Sequence, residues 1–183
     1  FEIIHTGSRY RLQLRISPDP RRDVLAIETT LESFDPDLHV YALLAPHLGA
    51  TGKGNRARVA QHRGRTVLWA EQGPFSLALT AVDSRQQDAI TLASAGYVGA
   101  SDGWQDFAKN GAMTWSYAAA GPGNVALMAE LDVEHVERHG VGGGMVSELE
   151  ARLGVDEAAE QPRRSHAVDA RPWPRHPAPP GEA

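Results

Sequence analysis

Between Tyr10 and Ser17 apolar and polar residues alternate one for one, with Tyr10, Leu12, Leu14 and Ile16 set against Arg11, Gln13, Arg15 and Ser17. A period of two places successive side chains on opposite faces of an extended backbone, so this segment is a strand with one face on a core and the other in water. Pro18 and Pro20 interrupt the pattern, and residues 24–34 resume it with Leu25, Ile27, Thr29 and Leu31 on one side. Residues 38–45 are apolar on both sides, which predicts a strand covered on both faces and stopped by Pro46. A glycine-rich loop over 49–54 separates it from short β-prone runs at 57–61, 66–71, 75–82 and 90–94. Residues 114–118 and 125–131 flank Gly121-Pro122-Gly123-Asn124 and read as a hairpin with a four-residue connection. About nine or ten short strands with Gly and Pro punctuation predict an all-β, antiparallel sandwich.

Composition narrows the function classes. The 183 residues include no cysteine, which excludes disulfides, and the net charge of −5 opposes the counterion-release attraction behind most nucleic-acid binding. No apolar run reaches the roughly 18 residues needed to span a bilayer, so neither nucleic acid nor membrane is expected as a partner. The chain is read as soluble, with the compartment left open between cytoplasm and secretion. It starts at Phe1, inside an apolar segment, and the natural start is expected upstream.

Composition also changes along the chain. Eleven of the 12 aromatic residues precede Val133, whereas six of the 12 prolines fall in the last 22 positions. This places a β-sandwich domain over residues 1–133 and a tail, partly helical or disordered, over 134–183. Within the tail, Ser147 and Glu150 form a capping-box pattern, and Met145, Leu149 and Leu153 recur every four residues before Gly154, which predicts a helix. Beyond Gln161 the Pro, Arg, His and Ala mixture reads as disordered.

Several motifs carry less than their spelling suggests. Gly52-Lys53-Gly54-Asn55-Arg56-Ala57 and Gly121-Pro122-Gly123-Asn124-Val125-Ala126 both satisfy a dinucleotide-binding pattern. That pattern works only where a helix amino terminus follows to face the pyrophosphate, and strand-like residues follow here. Gly54 also stands where a P-loop would carry Ser or Thr. His135 and His139 are four apart, but Val136 replaces the Glu of the zinc-protease motif and no third ligand is visible. His39, His47 and His62 are isolated, and no catalytic triad assembles from them. Arg56, Arg58, Arg63 and Arg65 read as a solvent-facing strand. No catalytic residue, metal site or cofactor is assigned.

The densest chemistry lies between Gly99 and Phe107, read as a glycine-bracketed loop containing Asp102, Trp104, Gln105 and Asp106. An indole stacks on a sugar's C–H face, and Asp and Gln exchange hydrogen bonds with hydroxyls. These four residues are therefore candidates for a domain interface or a sugar contact, against the plainer reading in which Trp104 and Phe107 plug the rim of the core. Nothing in a loop of this length sets Asp102 and Asp106 at the separation of about 6.5–9.5 Å that an inverting glycosidase needs.

Five segments in order carry a resemblance: Leu43-Leu44-Ala45-Pro46-His47-Leu48-Gly49; residues 52–59; Ser94-Ala95-Gly96-Tyr97-Val98-Gly99 with Ser101-Asp102-Gly103-Trp104-Gln105-Asp106; Met113-Thr114-Trp115; and Gly123-Asn124-Val125-Ala126-Leu127. Together, over about residues 1–133, the chain resembles the amino-terminal domain of bacterial and archaeal glucoamylases and glucodextranases, the fifteenth family of glycoside hydrolases. The resemblance implies an antiparallel β-supersandwich of the galactose mutarotase-like type, packed against a catalytic (α/α)6 barrel that holds the acid and base glutamates. That barrel is the implied partner, α-glucan a further one, and this chain alone is expected to be inactive. The segment near Gly99–Phe107 is expected at or near the barrel contact. The tail does not match the family, which suggests a shifted reading frame or an early stop in the coding sequence. Two other readings stay open: an autonomous carbohydrate-binding module with Trp104 and Trp115 as platforms, and a mutarotase-like enzyme joining His39 or His47 to Glu71 in one cleft.

Overall fold

The computed structural model describes residues 1–33, 37–132, 136–137 and 145–154, the last two segments as backbone alone. Two antiparallel sheets stack as a sandwich. The larger has nine strands, in the order β1 (Glu2–Thr6), β2 (Tyr10–Pro18), β3 (Val24–Ser33), β12 (Met145–Gly154), β7 (Phe75–Val82), β6 (Arg65–Gln72), β5 (Asn55–His62) and β9 (Ala119–Gly123), with β11 (Val136–Glu137) beside β12. The smaller has three, β4 (Val40–Leu44), β10 (Val125–Leu131) and β8 (Ile90–Tyr97), with β10 in the middle.

Register follows from the alternation. Leu12 faces Leu31, Leu14 faces Thr29 and Ile16 faces Ile27 across β2 and β3, so the apolar residues of both strands share one face. On the other side of the sheet's centre, Ala57, Leu68, Ala70, Leu79 and Ala81 turn inward to meet Ala93, Ala95, Val125, Leu127, Ala129 and Leu131 of the smaller sheet. Many of these are alanines, which let the two sheets approach closely, while Leu68, Val125 and Leu127 fill the remaining space and are fully enclosed.

Three expectations need correction. Residues 145–154 form a strand, not a helix, and β12 pairs with β3 along its whole length and with β7 from Glu150 to Gly154. Leu149 and Leu153 are four apart, a spacing that a period of two satisfies as well as a helical turn does; the gap between β3 and β7 selected the strand. The sheet thus passes through a segment that composition assigned to the tail. The hairpin across Gly121–Asn124 does not form either: residues 114–118 are irregular, β9 joins the edge of the large sheet against β5, and β10 crosses to the small sheet. Pro122 is tolerated in β9 because an edge strand leaves one row of its donors unpaired. Finally, β4 is not covered on both faces, since Leu43 is 54% exposed. His135, His139 and the residues beyond Gln161 lie outside the described residues.

Candidate functional site

The segment singled out in sequence is a loop only as far as Asp102; an α-helix, α1 (Gly103–Asn110), follows. Asp102 caps it. Its carboxylate accepts from the Gln105 backbone N–H at 3.0 Å, a donor that the helix start leaves orphaned, and from the Gly99 N–H in the turn before it. Gly111 ends the helix in the left-handed conformation, its N–H returning to the Phe107 carbonyl. These signals stood in the sequence as an Asp cap, a Gln three residues on and a closing glycine, but the flanking glycines made the whole stretch read as loop.

Two glycines let α1 sit against the small sheet. A Cβ on Gly103 would lie 2.6 Å from the Met128 Cβ, and one on Gly96 would strike the Ser101 carbonyl. Met128 is on the outer face of β10, so α1 covers that face while Leu127 and Ala129 fill the core behind it.

Asp106 is fully buried one turn into α1. Its two oxygens accept from the backbone N–H groups of Thr114 and Trp115, from the Thr114 hydroxyl at 2.7 Å and from the Asn110 amide at 2.7 Å. Burial pushes this carboxyl up, but the bonds from Trp115, Thr114 and Asn110 outweigh it and hold the pKa at about 2, below the ordinary 3.8. Asp106 therefore splices the irregular residues 113–117 to the helix. Asp102 and Asp106 are both buried, and the donors on their oxygens come from the chain itself.

With the carboxylates turned inward, the apolar members turn outward. Trp104 is 52% exposed and stacks on Phe107, with ring centroids 5.8 Å apart; Phe107 meets the edge of Tyr41 at 5.3 Å. Leu43 follows Tyr41 by two residues on β4 and so shares its face. The result is a ridge on the outer side of the small sheet in which Trp104 and Leu43 are exposed and Phe107 and Tyr41 are half-buried between them. Gln105, partly exposed, sits beside it. Sequence reasoning found Trp104, Gln105 and Phe107 but missed Tyr41 and Leu43, because nothing local marks which face of an all-apolar strand will stay in water.

The other candidate chemistry disperses. His39 pairs with Glu130 at 2.7 Å, while Glu71 accepts the Trp69 indole N–H at 3.3 Å, so the His and carboxylate cleft of a mutarotase-like enzyme is not assembled from His39 and Glu71. Asn55, in the first of the two dinucleotide-like motifs, is buried and clamps the loop before β5 by accepting from the Leu48 N–H and donating to the Thr51 carbonyl. No helix follows there to receive a pyrophosphate.

Two stacked antiparallel sheets with a single short helix among the described residues define an all-β sandwich domain. The family model for glucodextranase, domain N, matches residues 1–167, and the chain belongs to that family. The fold is similar to that in a crystal structure of a bacterial glucoamylase complexed with acarbose, with a TM-score of 0.70 and 23% sequence identity. That likeness covers 86% of this chain and 22% of the glucoamylase chain, so this chain spans about a fifth of its relative. No curated protein sequence matches it.

Proposed function

We propose that this chain is the non-catalytic β-sandwich part of a glucoamylase-type hydrolase acting on α-glucans, and that it supports a catalytic (α/α)6 barrel. The observation that carries this is the ridge of Trp104, Phe107, Tyr41 and Leu43, with Gln105 at its margin. Large rings held rigid by a capped helix, with the polar groups beneath them already satisfied, are the composition of an interface centre. Asp102 and Asp106 act in this reading as positioning residues: they fix α1 and so aim the ridge. The domain taken in sequence as residues 1–133 is extended, in this proposal, to include β12, because the large sheet is divided without it.

The test has two arms. The purified chain is incubated with maltooligosaccharides and dextran, and no glucose release is expected; steady release would end the proposal. The catalytic domain of a bacterial glucoamylase is then titrated in trans by analytical ultracentrifugation, where Trp104→Ala and Leu43→Ala should each weaken association at least tenfold. The reading of Trp104 as a platform for free sugar predicts instead that neutral maltooligosaccharide perturbs Trp104 fluorescence at millimolar concentration.

A further inference from the structure

The irregular segment after α1 leaves two rings at the surface that the ridge does not use. Tyr117 is 46% exposed and Trp115 half-buried, with centroids 5.8 Å apart and planes tilted by 47°. Both are anchored from behind. Asp106 takes the Trp115 N–H at 2.6 Å, and the fully enclosed Ser94 hydroxyl takes the Tyr117 N–H at 3.0 Å. The Tyr117 carbonyl accepts from the Ala95 N–H at 2.9 Å, and the Ser116 hydroxyl donates to the Ala93 carbonyl at 3.4 Å. Apolar burial alone would draw such rings inward. Buried polar groups instead clamp the backbone while the rings stay in reach of water, which is the preorganisation that a binding surface uses.

The polar ends of these rings are open. Among the described residues nothing bonds the Trp115 indole N–H or the Tyr117 hydroxyl. Asn110 adds an acceptor: its amide nitrogen is engaged by Asp106 at 2.7 Å and by the Thr114 hydroxyl at 3.3 Å, which fixes the amide and leaves its carbonyl oxygen open. Asn110 and Ser116 are both exposed. From Ala108 to Asn124 the only charged side chain is Lys109, and there is no Leu, Ile or Val. The ridge, with Leu43 beside its rings, complements another apolar surface. This patch of rings, amide and hydroxyl complements a neutral molecule rich in hydroxyls.

We propose that Trp115 and Tyr117 form a site that holds an α-glucan chain without cleaving it. Successive glucose units would lay their C–H faces on the two rings, with hydroxyls bonded by the indole N–H, the Tyr117 hydroxyl and the Asn110 carbonyl oxygen. Tilted rings follow a chain that turns from one sugar to the next, as an α-linked glucan does; a flat β-linked chain calls for rings nearer to one plane. The choice of glucan rests on the hydrolase reading above, whereas the neutral, hydroxyl-rich ligand chemistry rests on the patch alone. Maltooligosaccharides and isomaltooligosaccharides share this chemistry.

The full chain is titrated by NMR and calorimetry with maltohexaose, isomaltohexaose, cellohexaose and glucose. The Trp115 indole N–H resonance, assigned by its loss in Trp115→Phe, should shift with an α-linked hexaose, and the tighter of the two names the linkage. Glucose and cellohexaose should each bind at least tenfold more weakly. Tyr117→Ala should weaken hexaose binding at least tenfold with unchanged melting, because its ring is exposed, and Trp104→Ala should leave binding unaltered. No shift with either α-linked hexaose, equal affinity for cellohexaose, or loss of binding in Trp104→Ala overturns the proposal. So does Tyr117→Ala weakening association with the catalytic domain as much as Trp104→Ala does, since the pair would then belong to the domain interface. Each of these failures leaves the barrel-docking reading to its own test, which is read by ultracentrifugation at Trp104 and Leu43.

Discussion

The half of the large sheet made by β5, β6 and β7 and the half made by β1 and β2 are written in the same alternating code, yet their side chains meet different fates. Leu68, Ala70 and Ala81 are fully enclosed under β8 and β10, whereas every residue of β1 is exposed, Ile3 and Ile4 to nearly half of their surface. Leu12, Leu14 and Ile16 on β2 reach only partial burial. The difference lies in what stands opposite. A strand's pattern decides which face is apolar, and a second layer decides whether that face leaves water. Full burial of a large aliphatic side chain contributes about 1.5–3 kcal/mol, so the covered half supplies most of the stability.

The sharpest way to break this comparison is a pair of truncations. Leu127→Ala should cost about 3–5 kcal/mol in urea unfolding, because the alanine-lined core around it has little freedom to collapse into the cavity. Leu14→Ala should cost less than about 1.5 kcal/mol, since its side chain already faces water in part. Equal costs would mean that the exposed half is covered in solution. Hydrogen exchange offers the same contrast without mutation: amides of β10 should exchange only with global unfolding, and those of β1 by local opening.

Asp106 extends the comparison to a polar site. Asp106→Asn leaves one carbonyl where two oxygens served four donors, and should cost about 2–3 kcal/mol with loss of the ordered 113–117 segment. The acid response follows from its depressed pKa. Its contribution is fully present above the ordinary carboxylate value of 3.8 and fades as pH falls toward about 2. Melting temperature should therefore drop across that window in the native chain, and Asp106→Asn should flatten that part of the curve. The smallest effect belongs to the ridge: Trp104→Ala should leave the isolated chain within about 0.5 kcal/mol of native stability, since an exposed ring loses little on removal. A large loss there would make the ridge part of the core and withdraw it as a docking surface.

How much was legible varies by element. Strands β2, β3, β5, β6, β7 and β10 were visible because each alternates or is bounded by Gly and Pro over most of its length. Helix α1 was missed although Asp102, Gln105 and Gly111 mark both its ends, because eight residues are too few to show a helical period against nearby glycines. The role of Asp106, unlike the cap at Asp102, was not legible at all. Whether a carboxylate caps, splices or catalyses depends on which donors reach it, and those of Asp106 come from residues 110, 114 and 115, not from its immediate neighbours.

The amino-acid pattern by itself determined an all-β antiparallel chain, the apolar face of each alternating strand and the concentration of chemistry around Trp104, because these depend on backbone periodicity and local composition. Only the tertiary structure decided that residues 145–154 are a strand, since Leu149 and Leu153 fit both periods and the open pairing edges of β3 and β7 broke the tie. It alone decided which apolar faces are core and which are ridge, because burial is conferred by the partner layer and is written in no single segment.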